Sequence, residues 1–423
     1  MSARIPKISG LRLLLVALRL LKKPLNTLQH LTLKKGSVIE FYAGKHQQLF
    51  LINDAEAIKY ILKENKENFK RSPVIKALKP LLGNGIFISE DKDWAEQHKL
   101  LKPAFHDTII KTYLEVVEQE CSQLVDKWKT KKYLNIEPDI ELLMLKILWK
   151  TQFVKDFEPD FQKIIVAQST ILEFTNIKTQ KLNYFKKKLG LKGTLQSVDA
   201  EIDYLIALAN EVIKFAKRNP QKAGYWLQKM ILEEKSNLEM KDMILNFIFA
   251  GYDTTASALS WSLFALANQP LVQQKLRKEN DESYLKMVIQ EAMRLYPPVW
   301  SIHRQSEKAD SFLGYHFGAK SYFMICVYTL HRQPGYWQKP NEFYPEHFLP
   351  ENIKGKAFQY IPFGQGERIC IGKPLAMMEL QIVLPKLLQH FLFEIRSAEM
   401  PEIVPGIIMK SKKGIWLDLS YLS

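Results

Sequence analysis

Cysteine is scarce in this chain: Cys121, Cys326 and Cys370 are the only three in 423 residues. An odd, sparse count builds no disulfide framework and fits a reducing compartment. Glycine (18) and proline (20) are also few. That is low for a chain built of many short strands and turns, and a mostly helical protein with a large core is expected. The apolar N-terminal stretch ISGLRLLLVALRLLKK has a longest uncharged run of six residues, Leu13 to Leu18. A membrane-spanning helix needs about 20. The stretch also lacks the uninterrupted core and small-residue cleavage site of a signal peptide. Acidic residues are missing from two segments, 1–35 and 176–193. No internal repeat or low-complexity linker is visible.

Hydrophobic residues make up 47% and charged residues 25%, ordinary globular usage that excludes a disordered or collagenous chain. The net charge is +15, and the two acid-free segments hold fourteen of those charges. The basic character is therefore two local patches. A nucleic-acid platform interleaves aromatics with its cations, and here only Tyr184 and Phe185 do so, so no nucleic-acid partner is expected. On a helix, Arg12, Arg19 and Lys23 share one face, with leucines opposite. Such a helix either packs on the protein or lies on a membrane surface.

The pattern predicts a hairpin of Val38–Ala43 and Gln48–Ile52 around a Gly-Lys turn. Asp54 caps a helix running to about Glu64. Pro73–Glu90 reads as irregular. Helical periodicity runs from Asp93 to about Trp128, interrupted near Pro103, and recurs over Glu141–Phe153, Phe161–Thr175 and Val198–Lys217. A long helix spans about Met240 to Gln269. Pro270 opens the next, and Tyr284–Tyr296 follows. Strand-like pieces fall near Tyr315–Tyr328 and Val404–Leu419. The expected fold is mainly α, with a small β-rich part made from both ends, in one domain over 1–423. Residues 1–23 form a basic leader and 176–193 a basic loop.

The most informative segment is Phe363-Gly-Gln-Gly-Glu-Arg-Ile-Cys-Ile-Gly372. It reads as a tight loop entering a helix over Leu375–Leu388. Gly364 and Gly366 permit positive φ and close backbone approach. Amides at a helix start stabilise a thiolate at Cys370, and Gly372 clears space beside the sulfur. Such a thiolate suits an axial ligand to a planar macrocycle. A lone cysteine before a helix is ordinarily a packing residue.

The ten residues match Phe-x-x-Gly-x-Arg-x-Cys-x-Gly, the haem-binding loop of the cytochrome P450 family, and the chain resembles that family from about residue 24 to 420. Three further segments agree in order. Ala250-Gly-Tyr-Asp-Thr-Thr255 resembles the oxygen-binding stretch of the family's central helix. There Gly251 weakens the helix beside Asp253 and Thr254, an acid and an alcohol suited to a proton relay. Glu291-Ala-Met-Arg294 puts both side chains on one helix face and resembles the family's Glu-x-x-Arg pair. His347 stands where the family completes that cluster with an arginine, making the third contact weaker and pH-sensitive. Trp94 and His98 match the family's Trp-x-x-x-Arg propionate contacts, with histidine replacing arginine.

The resemblance implies a cytochrome P450 fold with haem between the long central helix and the cysteine-loop helix. It implies haem b held through Cys370, with Trp94, His98, Ala250, Arg304, Pro362, Phe363, Gly364, Arg368 and Gly372 around it. Gly251, Asp253 and Thr254 then serve O₂ activation. Phe87, Phe247, Ala250, Val299, Trp300 and Ile407 are expected to wall a lipophilic pocket. The expected reaction is hydroxylation or epoxidation of a fatty acid, terpenoid or steroid. The chain ends soon after its last strands, so NAD(P)H electrons are expected through a separate ferredoxin or flavodoxin and its reductase. A peroxygenase using H₂O₂ and a haem-based binding or sensing protein are the alternatives. The protein is expected to be a cytoplasmic monomer, its basic patches either touching an anionic membrane or only solubilising.

Overall fold

The structure is a computed structural model that describes residues 5–42, 48–174, 197–279, 281–397 and 399–422. The turn around Gly44-Lys45 and the basic segment 176–193 lie outside the described residues. The chain opens with β1 (Lys7–Ile8), α1 (Gly10–Lys22), α2 (Pro24–Lys35), β2 (Val38–Tyr42), β3 (Gln48–Ile52) and β4 (Phe69–Arg71). Then come α3 (Asp91–Leu101), β5 (Tyr133–Asn135), α4 (Glu137–Gln152), α5 (Phe161–Phe174), α6 (Asp199–Arg218), α7 (Asn237–Gly251) and α8 (Asp253–Ala267). The last part holds α9 (Glu282–Leu295), β6 (Ser301–Ser306), β7 (Asp310–Phe312), β8 (Tyr315–Phe317) and β9 (Tyr322–Cys326). It closes with α10 (Lys373–His390), β10 (Phe391–Ile395), β11 (Ile403–Pro405), β12 (Met409–Ser411) and β13 (Trp416–Tyr421). Two compact units interleave along the sequence: 1–78 with 286–370, and 79–285 with 371–423.

The first unit is built on a six-stranded sheet in the order β1-β2-β3-β9-β6-β4. β3 and β9 run parallel, with Phe50 opposite Phe323 and Ile52 opposite Ile325. Both strands are mostly apolar and carry aromatic and β-branched residues, which fit a pleated, buried surface. Phe323 is fully buried, stacked on Phe50 at 5.1 Å and edge-on to Phe69 and Phe317 at 5.1 and 5.0 Å. Asp54 caps its helix as expected, accepting from the amides of Glu56 and Ala57. That helix ends at Lys59 and widens into a π turn over Tyr60–Glu64.

The second unit is mostly helical. Its long helix starts at a capping box: Ser236 accepts from the Glu239 amide, and the Glu239 carboxylate accepts from the Ser236 amide. The helix breaks at Tyr252 (φ −110°, ψ −45°). Beyond the break every residue of α8 except Thr254 is buried, which makes it a core helix.

The β-rich part is not one piece drawn from both ends, as the sequence led us to expect. The N-terminal strands pair with 301–326, whereas the C-terminal strands β10 and β13 form a sheet with β5. The cause is β5, three residues long, too short to leave a periodic signal. The leader also has a definite character. Leu11, Leu14, Leu15 and Leu18 of α1 are 71, 56, 49 and 52% exposed, while Val16 is buried.

Phe323→Ala removes the ring that four aromatic partners, Phe50, Phe69, Phe312 and Phe317, share. We expect it to destabilise the protein by about 3–5 kcal/mol, read as a lower denaturant midpoint.

Candidate functional site

The cysteine loop lies in the first unit, and its tightness comes from two glycines. Gly364 (φ +71°) and Gly366 (φ +80°) both hold left-handed backbone. A Cβ on Gly366 would stand 2.1 Å from the backbone oxygen of Leu62, in the π turn. No side chain fits there. The loop closes on itself: the Cys370 amide donates to Phe363 O at 2.9 Å, and the Ile369 amide to Gly366 O at 3.2 Å. Lys66, just after the π turn, pairs with Glu367. Of the three cysteines, Cys121 and Cys326 are buried and Cys370 is exposed. Burial pushes the Cys121 thiol up to about 12 and raises that of Cys326. Those two are held as neutral thiols, whereas Cys370 reaches the surface.

Behind the loop sits a buried ion pair. Glu291 and Arg294 are both fully buried. Arg294 donates to both Glu291 oxygens at 2.7 and 2.8 Å, and to the carbonyls of His331, Pro340 and Glu342 at 2.7, 2.7 and 2.8 Å. That uses all five of its N–H groups. Glu291 also accepts from the Tyr344 amide at 2.7 Å. His347 is buried, with Nδ1 3.2 Å from each Glu291 oxygen and Nε2 against Gln338 O. Histidine thus takes the third place in this cluster. A link to the loop runs through His331, whose backbone Arg294 holds and whose Nε2 accepts from the Ile361 amide at 2.9 Å. Burial keeps His331 well below the ordinary histidine pKa, so Nε2 remains an acceptor. Ile361 leads directly into Pro362 and Phe363.

The break in the central helix lies in the second unit. Thr254 Oγ1 donates to Ala250 O at 2.8 Å, and Gln168 Nε2 reaches Phe249 O at 3.4 Å. Two side chains therefore serve carbonyls at the break. Gly251 packs closely on α4: a Cβ there would meet Leu148 Cδ1 at 2.7 Å. The uncovered surface belongs to its neighbours. Ala250 is exposed and Thr254 half-exposed, between the buried runs Asp242–Phe249 and Thr255–Ala267. Asp253 is 1% exposed and ion-paired with Lys410 at 2.9 Å. Burial pushes its carboxyl up to about 6, against the pull of Lys410 and with Glu141 and Glu137 adding to the rise.

On α3, Trp94 and His98 stack at 4.8 Å, bringing an indole and an imidazole donor side by side. Arg304 and Arg368 belong to the other unit, Arg304 buried on β6 with Nη1 3.0 Å from His303 O. Phe87 is half-buried at 5.5 Å from Phe249. Its loop is moored to α7: the Asn84 amide donates to Asp242 at 2.8 Å and the Phe87 amide to Asn246 at 2.9 Å. Gly83 and Gly85 leave those two side chains their room. Phe247 corrects the expected pocket. It is 8% exposed and stacked between Trp226 at 4.6 Å and Phe105 at 5.9 Å, a core residue. Val299, Trp300 and Ile407 are half-buried. Sequence reasoning missed His331, Lys410, Asn246 and Leu62. None carries a local signal, because each acts on a partner tens to hundreds of residues away.

The cytochrome P450 family model matches residues 6–417. Cytochrome P450 4V2 of Homo sapiens is 29% identical over 90% of this chain and 82% of its own. Cytochrome P450 4B1 of Rattus norvegicus is 30% identical over 81% of this chain and 75% of its own. Taurochenodeoxycholic 6 alpha-hydroxylase of Sus scrofa is 28% identical over 88% and 82%. A crystal structure of a cytochrome P450 (CYP102L1) superposes with a TM-score of 0.83 at 22% identity, covering all of both chains. The fold is thus the P450 fold.

Arg294→Met strands the Glu291 charge in the core. We expect a cost of about 3–5 kcal/mol, measured by denaturant unfolding, with His347→Arg losing less than His347→Ala.

Proposed function

The chain belongs to the cytochrome P450 family and is a monooxygenase; from this premise we propose that it hydroxylates or epoxidises a lipophilic small molecule such as a fatty acid, terpenoid or steroid. The observation that carries the reading is Cys370, the exposed thiol of the three, at the end of a loop in which Gly366 leaves no room for a side chain.

The residues present fit a haem b. In the first unit Cys370 offers the exposed thiol that would hold its iron. In the second, Ala250 is a small exposed residue on an otherwise buried helix. Trp94 and His98 would donate to a propionate, as would Arg368 and Arg304. Pro362, Phe363, Gly364 and Gly372 would shape the loop around the sulfur. When bound, the haem-thiolate iron supplies O₂ activation with electrons from a redox partner. Within the protein, Thr254 keeps its hydroxyl beside the break, and Asp253 supplies an acid poised near neutral pH. Val299 and Trp300 in the first unit, and Phe87 and Ile407 in the second, are half-buried apolar residues suited to a lipophilic substrate. The named relative acting on a bile acid supports a lipophilic substrate of steroid type.

The electron donor in this reading is an acidic ferredoxin or flavodoxin, served by an NAD(P)H-dependent reductase. Exposed Lys99, Lys102 and Lys373 of the second unit supply the complementary charge. One family model runs through both units, which supports a single P450 domain; in this reading the protein acts as a monomer. Among the described residues no helix is long and apolar enough to cross a membrane. The exposed leucines of α1, beside Arg12, Arg19, Lys22 and Lys23, support a cytoplasmic protein in peripheral contact with an anionic membrane.

Cys370→Ser should abolish the reduced-CO absorbance band of a thiolate haem; a persisting band removes the ligand assignment. Thr254→Ala should uncouple the enzyme, with reductant consumed and peroxide released. Anionic vesicles should sediment the protein in a salt-sensitive manner, and Leu14→Asp with Leu18→Asp should leave it in the supernatant.

A further inference from the structure

Lys410 belongs to β12, in a hairpin whose turn carries Ile407. Its Nζ lies 2.9 Å from Asp253 Oδ1 and 2.8 Å from Glu141 Oε1. The three side chains grade outward: Asp253 is 2% exposed, Glu141 17% and Lys410 30%. An acid–ammonium–acid chain therefore runs from the interior of α8 toward solvent. The residues on either side of Lys410 are fastened as well. Ser257 Oγ of α8 donates to Met409 O at 2.7 Å. Ser411 donates through its amide and its hydroxyl to the Glu137 carboxylate of α4. Lys412 pairs with Glu402 at 2.9 Å across the base of the hairpin. Three consecutive residues of β12 are thus tied to α8 or α4.

An ammonium at this distance favours the carboxylate, and the attraction falls as the two separate. The charged and titratable groups facing Asp253 are Lys410 from β12, Glu141 and Glu137 from α4, and Tyr252 beside it in the chain. Burial and the two glutamates favour the neutral acid; Lys410 alone opposes them. The position of one ammonium, carried on a hairpin rather than on a helix, therefore decides the balance.

We propose that Lys410 is a positioning residue for proton delivery: it holds Asp253 as a paired carboxylate, and displacement of the hairpin 403–411 releases that acid to take up a proton. The proton comes from water, Asp253 becomes the neutral acid, and it returns to the carboxylate on passing the proton on; no electrons move. An occupant pressing on Ile407 at the hairpin turn would move the clamp. The inference rests on Asp253 being the relay acid.

The test is a pH titration of the protonated-carboxyl C=O band of Asp253 by difference infrared spectroscopy on the haem-loaded protein, assigned by its absence in Asp253→Asn. Lys410→Met should raise the midpoint by about one pH unit or more. Lys410→Arg should leave it near the wild-type value, and Glu141→Gln should lower it. Ser257→Ala, which loosens only the hairpin seat, should raise it by less. An intact reduced-CO band verifies the fold of each variant. An unmoved midpoint in Lys410→Met overturns the clamp, and an unmoved midpoint in Ser257→Ala overturns the role of the hairpin. Coupling of reductant to product in Asp253→Asn tests the relay separately. Intact coupling there overturns the relay, whereas uncoupling there with an unmoved Lys410→Met midpoint overturns the clamp alone.

Discussion

A guanidinium removed from water must find an acceptor for each of its N–H groups, and Arg294 finds all five. Two are the oxygens of Glu291 and three are carbonyls of the stretch 331–342. That stretch has little regular structure of its own. The buried charge therefore organises it, and does so through backbone atoms. The same carbonyl that Arg294 grips belongs to His331, whose ring holds the amide of Ile361 at the mouth of the cysteine loop. A charge pair that contributes little on a surface thus becomes the anchor of the loop that presents Cys370.

Glycine serves two different ends in the two units. Gly366 lies against the backbone oxygen of Leu62, in a turn where the preceding helix has widened. There glycine fixes the shape of a loop. Gly251 lies against Leu148 and lets α7 and α4 approach. There glycine sets packing, and the surface left bare on the helix belongs to Ala250 and Thr254. The sequence places a glycine, an acid and an alcohol at one turn of helix, and the helix breaks at that turn.

Much of the site was legible because it is local. The ten residues ending at Gly372, the Trp94–His98 pair at one helical turn, and the Glu291–Arg294 pair at three residues each name their partner within a short span. The cap at Asp54 and the long central helix were legible for the same reason. What was not legible depends on distant partners. Lys410 reaches Asp253 and Glu141, Asn246 holds the Phe87 loop, and Phe247 is claimed by Trp226 and Phe105 rather than by a pocket. The β part was misjudged because β5, three residues long, recruits the C-terminal strands across most of the chain.

The opening scarcity of cysteine now reads differently for each residue. Sequence by itself determined that one of the three lies in a glycine-rich loop before a helix, and hence which chemistry the chain carries. It also determined that nearly all of the net positive charge comes from two segments. Only the tertiary structure decided that Cys121 and Cys326 are buried and that Cys370 is exposed. Only it decided that α1 turns four leucines outward, and that Asp253 is paired with a lysine 157 positions along the chain. The physical reason is range. Backbone conformation and i, i+4 neighbours follow from adjacent residues, whereas burial and pairing of charge depend on which remote segments arrive beside them.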